Sequence, residues 1–412
     1  MPPRRILLVD VDAFFVAVAR LVDPDGAGKE PLLLVGGSAS GRGVVCSASY
    51  ETRRFGVRSA MPMARAMALC PGAVRVPVPG KACAAKSKEI RAILGRLSPV
   101  VEGASIDEWY LDLAGTEALF HHEPLIDSAR RIRTTIRDET GLTVSIGGAT
   151  SKLLAKMAAE KAKPKPGTGA TGVCIVPVGG EAEFLRGLEL GDIPLIGPKF
   201  QARLAHLGFR TIADVLAVEP AELATRLGER QAAWVLDRAH GIDERRVRQR
   251  DMARSISRDE TFSKDLSADA DLERELLRLV ARAASDLRHD GLAARTITVK
   301  IRDFDFRRRS AALTLPGAVI SDRVIYATAR DLLAKLRDAR RAPARLIGVG
   351  LSGLCDPDSM EPEQLALFDE MNGTPGHSET ERDRIVARTV DRLRERFGKQ
   401  AVLPGGIRDA DR

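Results

Sequence analysis

Residues 105–112 read SIDEWYLD, so two acids, Asp107 and Glu108, stand adjacent in a run otherwise mostly apolar and aromatic. Such a run reads as a buried strand. Two carboxylates ~4 Å apart at an effective dielectric of about 20 repel by roughly 4 kcal/mol. A fold that keeps this segment must therefore bring something cationic to it. A second acid pair, Asp10 and Asp12, ends the first apolar run, LLVDVD. If the two strands are neighbours, three or four carboxylates meet at one sheet edge. An all-oxygen cluster of that kind suits hard divalent cations, above all Mg2+. Two such ions ~3.5–4 Å apart serve phosphoryl transfer. On spacing alone, strand-end acids paired with arginines fit as well.

Apolar runs without alternation at 4–9, 43–48, 99–106 and 142–149 read as strands covered on both faces. Helical spacing of three and four marks 80–97 and 123–139 between them. The Pro-, Gly- and Lys-rich stretch 161–172 ends this mixed α/β unit. From about 173 to 242 the pattern is short helices with tight turns, and 243–254, DERRVRQRDMAR, reads as a solvated linker. Residues 255–355 then follow a β-α-β-β-α-β order, an antiparallel sheet with two helices on one face. The tail beyond 356 is polar apart from one short apolar cluster and an amphipathic helix near 379–397.

Five motifs occur in order: VDVDAFFVAV, GRGVVCSASYETRRFGVRSAMPMARAMALCP, SIDEWYLDL, VSIGGATSKLLAKMAAEKAKP and RDETFSKDL. Together they resemble the Y-family DNA polymerases, nearest the DinB or DNA polymerase IV branch, from residue 4 to about 355. The resemblance implies an α+β, multidomain, right-hand polymerase. Its ferredoxin-like palm would take 1–12 and 78–172, small fingers 13–77 and a helical thumb 173–242. The linker is 243–254, a little finger spans 255–355, and 356–412 is a C-terminal tail. The activity implied is template-directed, error-prone translesion synthesis without a proofreading exonuclease. A primer 3′-hydroxyl attacks the α-phosphate of a deoxynucleoside triphosphate, and the small fingers tolerate damaged templates.

The resemblance also assigns residues. Asp10, Asp107 and Glu108 become the catalytic acids and, with the Val11 carbonyl, the ligands of two Mg2+ ions, Mn2+ being an alternative. Asp12 reads as a turn brace. Phe15 matches a steric gate that excludes a ribose 2′-hydroxyl by volume. Phe14 reads by itself as core, and the resemblance counts it among the nucleotide-binding residues with Tyr50, Arg53 and Lys163. Tyr50 and Arg53 are three apart and share a helical face. Lys163 has Lys161 and Lys165 as neighbours, in A-K-P-K-P where the family has N-K-P-N-G. Residues 194–208 resemble a helix–hairpin–helix whose turn offers N–H groups to a phosphate, yet Leu195 replaces a glycine and Pro198 lacks an N–H. Trp109 is bulkier than the family's usual residue.

In TVKIR, Val299 and Ile301 face inward while Lys300 and Arg302 face out. With Arg307 and Arg308 they form a DNA-binding face, although lysine on an edge strand also guards against aggregation. In the tail, QLALF exposes Gln364, Leu365, Leu367 and Phe368 and resembles the peptide that binds the sliding clamp, the DNA polymerase III beta subunit. The partners implied are primer-template DNA, deoxynucleoside triphosphates and that clamp, the chain acting as a monomer. A net charge of +8 fits a polyanionic partner.

Asp10 and Asp12 interrupt the N-terminal apolar run too early for a secretory signal, and no stretch nears the ~20 apolar residues of a membrane span. Five cysteines without C-x-x-C spacing point to neither zinc nor disulfides, so the chain reads as cytoplasmic and reduced. A catalytically inactive, clamp-tethered DNA-binding scaffold would have lost the acids, and all three are present. A palm-type cyclase would need neither the basic sheet nor the clamp peptide.

Overall fold

Every residue of β1 (Ile6–Val11) is buried, as an apolar run without alternation requires when both faces are covered. The computed structural model describes residues 4–164, 169–249, 253–357, 378–398 and 400–405. The chain divides into two compact units, Met1–Arg250 and Asp251–Arg412. No helix among the described residues is long and apolar enough to cross a membrane.

In the first unit β1 is followed by α1 (Phe14–Val22), β2 (Leu33–Gly36), β3 (Val45–Ala48), α2 (Tyr50–Arg53), α3 (Met63–Leu69) and β4 (Val74–Val76). Next come α4 (Gly80–Leu97), β5 (Val100–Gly103), β6 (Glu108–Asp112), α5 (Leu125–Thr140), β7 (Val144–Ala149), α6 (Lys152–Ala162) and β8 (Val173–Ile175). The short helices α7 (Glu181–Arg186), α8 (Pro198–His206), α9 (Ile212–Leu216), α10 (Pro220–Leu227) and α11 (Glu229–Ala239) complete it.

The main sheet runs β5-β6-β1-β7-β8, with β1 antiparallel to both β6 and β7. Side chains alternate across a strand. Leu7, Val9 and Val11 therefore pack with α4 and α5, while Ile6 and Leu8 pack with α6. The same alternation carries Asp10, two residues past Leu8, toward α6. Gly147, opposite Leu8, lets that helix sit directly on the sheet. A Cβ there would lie 2.1 Å from both the Ala155 oxygen and the Ala159 nitrogen. A smaller sheet, β3-β2-β4, lies wholly within 13–77 and packs Leu34 and Val45 on Met63 of α3.

Two boundaries move. β8 pairs in parallel with β7, so the main sheet continues to Ile175 instead of ending at 172. Helix α6 lies in the crossover that a parallel pair demands. The expected solvated linker is also packed where it leaves the unit, Asp243 and Val247 both being 7% exposed. Arg245 holds Asp243 through two contacts of 2.7 and 2.8 Å. The Arg248 N–H donates to Glu102 at 3.0 Å, beside a buried Lys152–Glu102 pair at 2.7 Å. This docking uses charge, main chain and one valine, which leaves no apolar period to read.

The second unit keeps the expected order: β9 (Ser255–Leu266), α12 (Asp269–His289), β10 (Ala293–Asp303), β11 (Arg308–Val319), α13 (Asp322–Ala339) and β12 (Ala344–Cys355). Its antiparallel sheet runs β11-β10-β12-β9, and Ile297, Val299 and Ile301 of β10 pack under α12 and α13. Helix α14 (Glu381–Phe397) follows, with only Ala387 buried. It is held by Arg288–Asp391 at 2.5 Å and Arg323–Asp383 at 2.7 Å. Gln364, Leu365, Leu367 and Phe368 lie outside the described residues.

Candidate active site and nucleic-acid face

Asp10 and Glu108 are direct partners across β1 and β6. Asp107 enters that pair through its main chain, its carbonyl accepting the Val11 N–H at 3.0 Å. Its side chain accepts from the Ser105 hydroxyl at 2.5 Å. The three acids are thus neighbours at one sheet edge, but they are not gathered into a ready cage. Among the described residues no group of three or more His, Cys, Asp or Glu side chains is placed to hold a metal.

The cations that relieve them are lysines of α6. Lys163, the residue that ends the helix, lies 3.0 Å from Asp10 and 2.9 Å from Glu160. Lys156 reaches both Glu108 oxygens at 2.7 Å. Seven residues apart, the two lysines lie two turns along one helix face. Burial pushes the Asp10 carboxyl up to about 7; Lys163 draws it down, and Glu108 and Asp107 drive it up further. Lys163 itself, which burial lowers, is carried well above the usual lysine range by Asp10 and Glu160. A buried Asp10 carboxyl repelled by the part-exposed Glu108 and Asp107, beside a main-chain carbonyl, is the donor chemistry a hard divalent cation takes, so these residues fit such an ion.

Asp12 braces the turn, accepting from the Ser145 hydroxyl at 2.7 Å and donating its N–H to Thr143 at 3.0 Å. Its second oxygen is buried with no hydrogen-bond partner in the structure. Ala13 then takes φ 45°, a left-handed conformation that turns β1 sharply into α1. Phe14 is 2% exposed in the core with Val9 and Val11. Phe15 stays half-buried, its ring 5.6 Å from that of Phe14. Trp109 is 2% exposed on the sheet face opposite Glu108, so its bulk fills the core.

Ser49 caps α2, accepting the Thr52 N–H. On that helix the Arg53 guanidinium lies 4.8 Å over the Tyr50 ring, while its Nε donates to the Ala48 carbonyl at 3.0 Å. The Tyr50 hydroxyl is buried without a hydrogen-bond partner. Burial, then the charge of Asp12, pushes it up to about 12. Tyr50 therefore feels the acids of the main sheet.

A cleft of about 350 Å³ opens beside the acids, lined by Asp10, Glu108, Lys156 and Lys163 on one side and Leu195 and Gly197 on the other. At 194–208, where the hairpin was expected, a turn leads from a three-residue 3-10 helix, Leu190–Asp192, into α8. Leu195 sits at φ 75°, the left-handed region a glycine occupies without cost, and is 83% exposed. Pro198 occupies the first turn of α8, where its missing N–H is tolerated.

On the second unit's sheet, Lys300 and Arg302 point away from the helices, as the alternation of β10 requires. Lys300 crosses Gly348 to meet Asp259 at 2.6 Å. A Cβ on Gly348 would stand 2.0 Å from Asp259 Oδ1 and 2.6 Å from Lys300 Cε. Arg302 and Arg308 are cross-strand partners, two like charges side by side. Arg307 is largely exposed, 3.4 Å from Asp305. Around these cations the face carries small residues: Thr298, Ser310, Gly350 and Ser257.

Sequence reasoning missed Lys156, Ala13 and Gly147. Only Lys156 carried a signal, its seven-residue spacing from Lys163.

The family model described as the impB/mucB/samB family matches residues 9–160, and that of its C-terminal domain matches 253–367. A DNA polymerase IV of Dehalococcoides mccartyi is 36% identical over 405 residues, covering 98% of each chain. One from Halorhodospira halophila is 38% identical over 351 residues, 85% of this chain and 95% of that one. Among solved structures, a Y-family DNA polymerase chimera matches with TM-score 0.74 at 27% identity, over 85% of this chain and 98% of its own. An insertion ternary complex of Dbh DNA polymerase matches with TM-score 0.61 at 28% identity, over 84% and 98%.

Proposed function

The chain belongs to the impB/mucB/samB family and is a Y-family, DNA-directed DNA polymerase of the translesion type; from that premise we propose that Asp10, Asp107, Glu108 and the Val11 carbonyl hold its divalent cations. Polymerases of this family use divalent metal ions. In this reading there are two, Mg2+ with Mn2+ as a substitute, and when bound they supply Lewis-acid charge to the primer 3′-hydroxyl and the triphosphate. The observation that carries it is the pairing of Asp10 with Glu108 beside Asp107 at one sheet edge.

The chain's own residues then position the reactants. Arg53, fixed by the Ala48 carbonyl and stacked on Tyr50, offers its remaining donors to the triphosphate. The unpartnered Tyr50 hydroxyl is free to donate to the same group. Lys163 trades Asp10 for phosphate charge. Phe15, resting on the buried Phe14, excludes a 2′-hydroxyl by volume. Lys300, Arg302, Arg307 and Arg308 follow the phosphates of primer-template DNA, the small residues between them allowing close approach. Pro198 leaves the thumb turn one N–H fewer for a phosphate than a glycine-rich turn has, and Leu195 adds a side chain where glycine would have none.

The palm in this reading is 1–12 with 78–175, the fingers 13–77, the thumb 176–242 and the little finger 255–355. A monomer in the cytoplasm, tethered to the sliding clamp through Gln364, Leu365, Leu367 and Phe368, completes it.

Primer extension on undamaged and damaged templates tests the reading. The intact chain extends both, and Asp107→Ala loses at least ~10³-fold in rate through lost charge stabilisation while still binding DNA. Full activity in Asp107→Ala removes the ligand assignment. Phe15→Leu should admit ribonucleotides, and unchanged ribonucleotide use in that variant removes the gate.

A further inference from the structure

We propose that Lys156 is a built-in counter-ion for Glu108, which a divalent cation must displace before that carboxylate can coordinate it. The inference rests on the reading of Glu108 as a cation ligand. Lys156 Nζ lies 2.7 Å from both Glu108 oxygens, so it occupies the bidentate position between them that a cation would take. The root of the side chain stays where its helix holds it, since lifting α6 off the sheet would expose the buried Leu153, Leu154 and Met157. At Gly147 the backbone of α6 already touches the sheet at Ala155 and Ala159, on either side of Lys156 in sequence. Only the four-carbon stem can move, and the cleft beside it, with the lysine side chain 38% exposed, gives it room.

The two lysines of α6 differ in what they lose. Lys163 holds Glu160 as well as Asp10, and keeps that partner when a cation takes Asp10. Lys156 has Glu108 as its one carboxylate among the described residues. Cation binding at Glu108 thus strips Lys156 of its ion pair and leaves an ammonium facing the cleft, where the phosphates of an incoming nucleotide offer a new partner. Lys156 therefore weakens cation binding in the absence of nucleotide and couples it to the arrival of a polyanion. Lys156 is a positioning residue in this scheme and takes no part in bond making.

The test is Mn2+ binding, read as free Mn2+ by electron paramagnetic resonance, on the full chain without DNA or nucleotide. Lys156→Gln should bind Mn2+ about three- to fivefold tighter than the intact chain, the scale of one part-exposed ion pair. Lys156→Arg, which keeps the charge, should bind no tighter than the intact chain. Glu108→Gln should weaken binding by about tenfold or more, the loss of one carboxylate ligand. Thermal melts without Mn2+ establish that each variant is folded. Equal or weaker binding in Lys156→Gln, with Glu108→Gln impaired, overturns the counter-ion role and leaves the ligand reading standing. Unchanged binding in Glu108→Gln overturns both.

Discussion

The second unit and the acid site of the first bury charge in opposite ways, although the first unit also holds closed pairs at Arg245–Asp243 and Lys152–Glu102. In the second unit Asp303 is fully buried between two guanidinium groups, Arg309 at 2.8 Å and Arg340 at 2.6 Å. Arg288 is gripped by Asp322 and Asp391, and Arg337 donates to Asp269, Ser267 and Ala342. In the first unit Asp10, only 8% exposed, has one flexible lysine, and its neighbour Asp12 keeps a buried oxygen with no partner. Arginine's planar fork fixes a carboxylate, whereas a lysine ammonium is a movable point charge. One unit is closed by its ion pairs. The other holds charge that a ligand can take over, and ligand-competent sites are where such unrelieved burial is expected.

The largest effects should come from exchanging a buried aspartate in each unit. Asp10→Asn should lower nucleotide incorporation by about 10³-fold or more, since a carboxamide carries no charge for a cation. The same variant should be as stable as the intact chain or more so in cation-free urea denaturation. The sign follows from linkage. Asp10 has its ordinary value of 3.8 unfolded and about 7 folded, so the folded chain binds more protons between those values. Its stability therefore falls as pH rises across that window. The advantage of Asn should grow from pH 4 to pH 7 and stay flat above. Asp303→Ala should do the reverse: no direct effect on chemistry, and a loss of about 3 kcal/mol because the part-buried Arg309 guanidinium loses its counter-charge, while Arg340 keeps Asp305 at 2.9 Å. If Asp10→Asn destabilised as strongly as Asp303→Ala, the two units would not differ in kind.

Much of this contrast was open to sequence reading, and the part that was not has a physical explanation. Strands and helices of the second unit were legible because each carries its own period, so β9 to β12 and the two helices appear in order. The acids of the site were legible because adjacent carboxylates in an apolar run demand compensation. What compensates them was not. Lys156 becomes visible only when α6 is laid on the sheet, and that placement depends on Gly147, whose meaning is a missing Cβ two elements on from β6. Phe14 and Phe15 are adjacent in sequence, and only the turn at Ala13 decides which ring is buried. The docking of 243–248 left no trace because main-chain N–H groups have no sequence signature. The parallel pairing of β8 was hidden for the same reason, its three residues being too short for a period.

A smaller effect separates two strained turns. Leu195 in the first unit and Phe306 in the second both take left-handed backbone, φ 75° and 65°, with exposed apolar side chains. Phe306 is compensated, since the Arg345 guanidinium lies 4.7 Å over its ring. Leu195 has no such partner and faces the cleft. Leu195→Gly should therefore stabilise the chain by about 0.5–1 kcal/mol, relief of left-handed strain less the added freedom of the unfolded glycine. Phe306→Gly should gain nothing, because it gives up a stacked cation worth about 0.5–1 kcal/mol. Equal gains in calorimetry would show that the stacking contributes nothing.

The smallest effect should be at Gly348, where a lysine pair of the second unit can be set against those of the first. A methyl group there meets only the ends of the Asp259 and Lys300 side chains, which can swing aside. Both are about two-fifths exposed, at 39% and 43%. Gly348→Ala should therefore cost less than about 0.5 kcal/mol of stability, the scale of a screened surface pair. Parting Lys300 from Asp259 would free one ammonium on the face assigned to DNA. The dependence of log affinity for DNA on log salt should then steepen by about 0.9, one further phosphate contact. An unchanged slope would mean that Lys300 spends its charge within the protein, and that Arg302, Arg307 and Arg308 alone meet the backbone.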